Sequence, residues 1–119
     1  MHQIFKIALL SLGLVAFCLN AAPSVEQVEF FEKKIRPVLT EHCYDCHNSS
    51  GKEKGGLALD WAGGLAIGGD SGSLMSKDDP MKSLLLQVIR HEAPDMKMPK
   101  GGPKLSPEVI ADFENWIIS

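Results

Sequence analysis

The apolar residues that follow residue 24 predict a helix at the start of the folded chain. Ser24 and Gln27 match the capping-box pattern, so we expect this helix to begin at Val25. The apolar residues after it recur at helical spacing: Val28, Phe31 and Ile35. Pro37 has no backbone N–H, and we expect it either to bend or end this helix or to open a second short one.

Two further helices are predicted in the second half of the chain. The segment 80–91 is expected to be helical and to end before Pro94. Its inward positions are Leu84, Leu85, Val88 and Ile89. Ser106 is a suitable N-cap for a last helix, with Pro107 in its first position. The apolar stripe of this helix consists of Val109, Ile110, Phe113, Trp116 and Ile117. We expect the first helix to pack across that stripe.

The middle of the chain is rich in glycine and shows neither strand alternation nor an internal repeat. Its glycine density leaves room for only one or two helical turns, at residues 61–67. We therefore predict an all-α domain of about four short helices joined by long loops. So few short helices bury little apolar surface, and a large apolar cofactor at the centre would supply the missing core.

The first 22 residues have the layout of a secretory signal. Lys6 precedes an uncharged apolar run at 7–19, and the small residues Ala21 and Ala22 follow. The apolar run is shorter than the roughly 20 residues that cross a membrane. We expect residues 1–22 to be cleaved and residues 23–119 to form one periplasmic or secreted domain. Contact with a membrane would then come only through the uncleaved leader.

The charge of the chain gives no reason to expect nucleic acid as a partner. The net charge is −3, and it becomes −4 when Lys6 is lost with the leader. Binding to nucleic acid or to anionic lipid needs a basic patch, and a mildly acidic sequence gives no reason to expect one. Of the three cysteines, Cys18 lies in the leader and only two remain in the mature domain.

Those two cysteines form a C-x-x-C-H motif with His47, and three chemistries use such residues: a redox dithiol, a zinc site and covalent haem attachment. A redox dithiol is expected near a βαβ pattern, and none is present. Zinc requires four ligands, and the adjacency of Cys46 and His47 makes a tetrahedral site awkward, even with His42 or His91 as a fourth ligand. Covalent haem attachment uses all three residues, and export of the protein agrees with it. The motif therefore favours haem c, bound through Cys43, Cys46 and His47.

Haem iron has a sixth coordination position, for which the sequence offers several residues. Met98 lies in a loop bracketed by proline and glycine, where a rigid backbone would present it. Met96 is two residues away, and His91 would give a bis-histidine haem. His91 is also explained as a surface residue at a helix C-terminus, and His42 as a solvated residue or a hydrogen-bonding neighbour of the motif.

Several segments, in order along the chain, resemble the planctomycete cytochrome c family. They are FFEKKIRPVLTEHCYDCH, GGLALD, GGDSG, SLLLQVI, KMPKGGPKLSPEVI and NWI. Together they extend over essentially all of the chain after the leader. The family usually has M-P-P where this chain has Met98, Pro99 and Lys100, so the distal loop departs slightly from the family pattern.

The resemblance implies a small cytochrome c-like fold, related to class I, with loops wrapped around one covalent haem c. The site residues it implies are Cys43 and Cys46 as the haem thioethers, His47 as the proximal ligand and Met98 as the distal ligand. GGLALD and GGDSG resemble the haem-wrapping loops of the family. The residues that these loops would bring to the haem are Trp61, Gly68 and Gly69.

The expected function is that of a monomeric monohaem c-type cytochrome that carries single electrons between redox partner proteins. Two axial ligands in both oxidation states keep reorganisation small, and no constellation of catalytic acid, base or nucleophile is visible. The alternative is a haem-based sensor, or a haem protein that processes small ligands or peroxide. That alternative requires a labile or absent sixth ligand.

Overall fold

The computed structural model describes residues 22–119. Residues 1–21 of the predicted signal sequence, with Lys6 and Cys18, lie outside these residues. Among the described residues, no helix is long and apolar enough to cross a membrane. The domain is helix-rich and contains one very small sheet.

The chain begins with a helix whose start agrees with the sequence prediction. Helix α1 spans Val25–Phe30. The N–H of Ser24 donates to Oε1 of Gln27 at 2.8 Å, and the N–H of Gln27 donates to Oγ of Ser24 at 3.2 Å. These two bonds satisfy N–H groups that have no partner inside the helix. The capping box is therefore confirmed.

A wide π-helical turn, Phe31–Ile35, joins α1 to helix α2, Arg36–His42. The N–H of Arg36 donates to the carbonyl of Phe31, five residues back. Such a turn accommodates Pro37, which has no N–H and whose ring would collide with a regular preceding turn. Pro37 then stands in the first turn of α2, as predicted for a residue that opens a second helix.

Short pieces of structure fill the glycine-rich middle. Strand β1, His47–Asn48, pairs antiparallel with strand β2, Lys52–Glu53, and a single 3₁₀ turn follows at Lys54–Gly56. Helix α3 spans Ala62–Ile67, as the sequence predicted. The all-α prediction therefore needs a correction, because it omitted the hairpin. Strands of two residues are too short to leave an alternating pattern in the sequence.

The fourth helix is shorter than predicted. A 3₁₀ turn at Pro80–Lys82 precedes it, and the extended backbone of Ser83 separates that turn from helix α4, Leu84–Ile89. Leu86 is fully buried, whereas Leu84 is only partly buried. The predicted inward set was thus wrong to omit Leu86.

The last helix, α5, spans Pro107–Ile118 and follows the prediction closely. Its N-cap Ser106 accepts a hydrogen bond from the N–H of Val109 at 3.3 Å. A pair of charged side chains joins it to the end of α4, because Nε and Nη2 of Arg90 donate to Oε1 of Glu114 at 3.1 and 2.6 Å.

The first helical segment packs across α5, as predicted. The rings of Phe31 and Trp116 lie 5.4 Å apart between centroids, and those of Phe113 and Trp116 meet edge to face at 6.1 Å. Ile35 and Phe113 are almost completely buried at this crossing. Val28 was predicted to share this apolar face, but 45% of it is exposed.

The buried hydrophobic core is formed mainly by α2, α4, α5 and the π-helical turn before α2, and Phe30 of α1 and Leu65 of α3 pack against it. Its most buried members, other than the polar Ser83, are Ile35, Leu39, Leu86 and Phe113. α2 and α4 therefore both contribute to one core. The segments that follow these two helices, residues 43–47 and 91–98, carry the predicted ligands.

Replacing Leu86 by alanine tests the burial of α4. We expect Leu86→Ala to lower the free energy of unfolding by about 3 kcal/mol, because it leaves a cavity in a packed core. Leu84→Ala, two residues away on the same helix, should lower it by only about 1 kcal/mol. Chemical denaturation of both variants measures the two values, and a larger loss for Leu84→Ala would contradict this burial pattern.

Candidate haem site

The C-x-x-C-H motif forms a tight turn at the end of α2. The N–H of Cys43 donates to the carbonyl of the buried Leu39 at 2.9 Å, which fixes the turn to the core. The carbonyl of Cys43 then accepts the N–H groups of Cys46 at 3.2 Å and His47 at 3.1 Å. The chain therefore reverses within five residues and brings the second cysteine and the histidine back beside the first cysteine.

The two thiols of the motif are free, and each is partly buried. Cys43 also packs against the hydrophobic core. Burial, with a smaller contribution from the nearby Cys46, raises the pKa of Cys43 to about 11. At neutral pH this thiol is protonated and poorly reactive as a nucleophile.

His47 is held by its backbone and carries an unpartnered ring nitrogen. Its carbonyl accepts the N–H of Leu59 at 2.9 Å, and it stands opposite Glu53 in the hairpin. Nδ1 of its ring is buried and has no hydrogen-bond partner among the described residues. A buried polar atom without a partner is costly. The ring of His47 therefore has a buried nitrogen that no group of the described residues satisfies.

These donors fit a covalently bound haem. Two thiols separated by two residues match the two vinyl groups, and an imidazole adjacent to the second thiol matches the iron. The zinc alternative receives no such support, since residues 22–119 contain no group of three or more His, Cys, Asp or Glu side chains placed to hold a metal ion. His42 lies on the surface instead, with Nε2 3.7 Å from a carboxylate oxygen of Glu41.

Two polar residues that the sequence interpretation passed over hold the chain just after the motif. Nδ2 of Asn48 donates to the carbonyl of Tyr44 at 2.8 Å, and Oδ1 of Asn48 accepts the N–H of Ser50 at 3.1 Å. Asp60 accepts the N–H and the hydroxyl of Ser49 at 3.0 and 2.9 Å. An asparagine before a serine pair is a turn signal, which would have identified Asn48.

Trp61 lies at the surface, with 53% of it exposed. Its ring covers Gly63 and Gly64 at the start of α3, where a Cβ atom on either glycine would collide with the ring. It also borders a cavity of about 90 Å³ together with Arg36 and Tyr44. Neither cysteine nor His47 lines this cavity, so the haem contact of Trp61 stays a prediction.

Gly68 and Gly69 have local backbone roles. Gly68 has a φ of +77°, and a Cβ atom there would collide with the carbonyl of Gly72. Gly69 and Gly72 exchange two backbone hydrogen bonds, of 3.2 and 2.9 Å. A close turn explains both glycines without a ligand, and their predicted haem contact stays a prediction.

The two methionines of the distal loop have different environments. Met98 is partly buried against the core, and its N–H donates to the carbonyl of Val88 at 3.0 Å. Met96 is 36% exposed, and its sulfur accepts a hydrogen bond from the hydroxyl of Ser71 at 3.5 Å. Met98 is thus the methionine of this loop that is anchored to the domain interior.

The simpler explanation from the sequence was that His91 is a surface residue, but its side chain does not lie free in solvent. Its side chain is partly buried, and Nε2 lies 3.0 Å from the carbonyl oxygen of Met98. Nothing in the spacing of the sequence pointed to this contact, because it spans a loop of seven residues. The sequence offered His91 only as a rival ligand or as a surface residue, and it missed the contact of His91 with the backbone of Met98.

Comparison with known proteins identifies the family. A family model described as Planctomycete cytochrome C matches residues 43–102, half of the chain. The match begins at the first cysteine of the motif and includes Met98. The chain belongs to this family, whose members are haem-binding proteins of electron transfer. No curated protein and no solved structure matches the chain.

The burial of Cys43 predicts slow thiol labelling in protein produced without haem attachment. With a pKa of about 11 instead of 9.0, the thiolate fraction at pH 8 falls roughly a hundredfold. Iodoacetamide should therefore label Cys43 about a hundredfold more slowly in the folded protein than in urea, as measured by peptide mass spectrometry.

The sign of this shift also predicts how stability depends on pH. At neutral pH the thiol is protonated in both the folded and the unfolded state. As the pH rises from about 9 to about 11 the unfolded thiol ionises first, so the free energy of unfolding should fall over this range. In the labelling experiment, equal rates for Cys43 in folded and unfolded protein would show that the thiol is exposed, contrary to the structure.

Proposed function

We propose that this protein is an exported, monomeric electron carrier with one covalent haem c. The observation that carries the proposal is the motif turn, in which the carbonyl of Cys43 gathers the N–H groups of Cys46 and His47. In this way two thiols and an imidazole with an unpartnered nitrogen are held on five consecutive residues. Membership of the cytochrome c family supports the same conclusion.

Each residue of the turn has a distinct part in holding the haem. Cys43 and Cys46 would form the two thioether bonds, and His47 would donate a ring nitrogen to the iron. The bound haem supplies an iron that alternates between the ferrous and ferric states, one electron at a time. The backbone bond from Leu59 to His47 joins this segment to the next loop and so limits movement of the imidazole.

We propose that Met98 would supply the second protein ligand of the haem iron. Its sulfur is not engaged by any hydrogen bond among the described residues, whereas the sulfur of Met96 accepts one from Ser71. The competing residue His91 has its Nε2 engaged with the carbonyl of Met98. Thioether ligation favours ferrous iron and so raises the reduction potential relative to a bis-histidine haem.

A carrier in which His47 and Met98 both bind the iron would suit electron transfer better than ligand chemistry. Oxygen or peroxide would then find no free position on the iron. We propose partner proteins as the electron donor and acceptor. The predicted signal sequence supports a periplasmic or secreted location, where c-type haem is attached.

The absorption spectrum of the purified holoprotein tests this proposal. We expect a low-spin haem in both oxidation states and, in the ferric form, the weak far-red band of an iron–thioether bond. Met98→Ala should abolish that band and yield a high-spin or ligand-binding haem. Met96→Ala, the matched control in the same loop, should leave the spectrum unchanged.

The opposite results have defined meanings. If Met96→Ala abolishes the band and Met98→Ala does not, Met96 is the ligand. If the wild-type ferric protein is high-spin, or its ferrous form binds carbon monoxide readily, the sixth ligand is labile. The protein would then belong with the haem-based sensors or ligand-processing haem proteins.

A further inference from the structure

His91 has a backbone conformation that glycine usually provides. Its φ is +59°, and no other non-glycine residue among the described part of the chain has a positive φ. It occupies the position after the C-cap of α4, where its N–H donates to the carbonyl of Val88 and the N–H of Glu92 donates to that of Gln87. This is the Schellman arrangement, in which glycine is preferred because it has no Cβ atom.

The contact that the His91 side chain makes explains why a residue with a Cβ atom occupies this position of positive φ. Its Nε2 lies 3.0 Å from the carbonyl oxygen of Met98. A carbonyl oxygen only accepts hydrogen bonds, so Nε2 carries the proton and donates it to this contact. The left-handed backbone of His91 directs the partly buried ring towards the distal loop, a contact that glycine could not make.

Met98 is also bound through its backbone N–H. The N–H of Met98 donates to the carbonyl of Val88 at 3.0 Å. Both backbone polar groups of Met98 are therefore bound at the C-terminal end of α4: the N–H by the carbonyl of Val88, and the carbonyl by the ring of His91 just beyond the helix.

From this geometry we infer that His91 is a positioning residue for the distal ligand: its ring fixes the Met98 peptide so that the thioether is presented to the iron. This inference rests on the proposed function, in which Met98 is the sixth ligand. His91 does not touch the iron in this account. It lowers the freedom of the loop and so disfavours dissociation of the sulfur.

Substitutions that are compatible with a positive φ distinguish the role of the His91 ring from the role of its backbone in capping α4. His91→Gly suits a positive φ and removes only the ring. His91→Asn also tolerates this conformation, and its amide ends short of the position of Nε2. His91→Gln keeps an N–H donor at a reach similar to that of Nε2. Glu92→Ala, at an exposed neighbouring position, is the matched control.

Imidazole added to the ferric holoprotein is the probe, because it competes with the thioether for the iron. We expect His91→Gly and His91→Asn to bind imidazole about five- to tenfold more tightly than the wild type, the effect of one lost hydrogen bond. Their far-red band should weaken, while their thermal unfolding stays close to that of the wild type. His91→Gln should recover much of the wild-type behaviour, and Glu92→Ala should match the wild type.

Two results would overturn the inference while leaving the proposed function intact. One is an unchanged imidazole affinity in both His91→Gly and His91→Asn. The other is a His91→Gln variant that binds imidazole as tightly as His91→Gly, since the N–H donor would then have no effect. A wild-type protein without the far-red band would instead refute the proposed function, and this inference with it.

Discussion

The carbonyl oxygen of Cys43 accepts hydrogen bonds from the N–H groups of Cys46 and His47, and the candidate site depends on this pair. The bonds close a turn that α2 anchors to the core through Leu39. The hydrogen bond from the N–H of Leu59 to the carbonyl of His47 connects this turn to the next loop. Without it, the three haem-binding side chains would belong to a flexible loop, and each would have to be ordered separately.

The distal side is built on the same principle, that a helix end holds a ligand loop. The C-terminal end of α4, with His91 just beyond it, binds both backbone polar groups of Met98, and the buried face of α4 packs into the core that also receives α2. The two ligand-bearing segments are therefore fixed to helices that share one core. A domain this small relies on a few such backbone bonds, because its long loops bury little surface themselves.

The elements that the sequence predicted well are those with strong local signals. The Ser24 capping box and the Ser106 N-cap correctly located two helix starts, and the motif of Cys43 stood out by its spacing. Non-local contacts were missed. The partner of His91 lies across a loop, and the full burial of Leu86 depends on which helices surround α4. A local sequence pattern contains neither kind of information.

Intact mass spectrometry and peptide mapping of the denatured protein test the central claim most directly. For protein made in a host that attaches haem, we expect the mass of the mature chain plus one haem. We also expect that haem to stay on the peptide that contains Cys43 and Cys46 after acid extraction, because thioether bonds survive it. A colourless chain, or a haem that is released by acid extraction, would contradict covalent attachment at this motif.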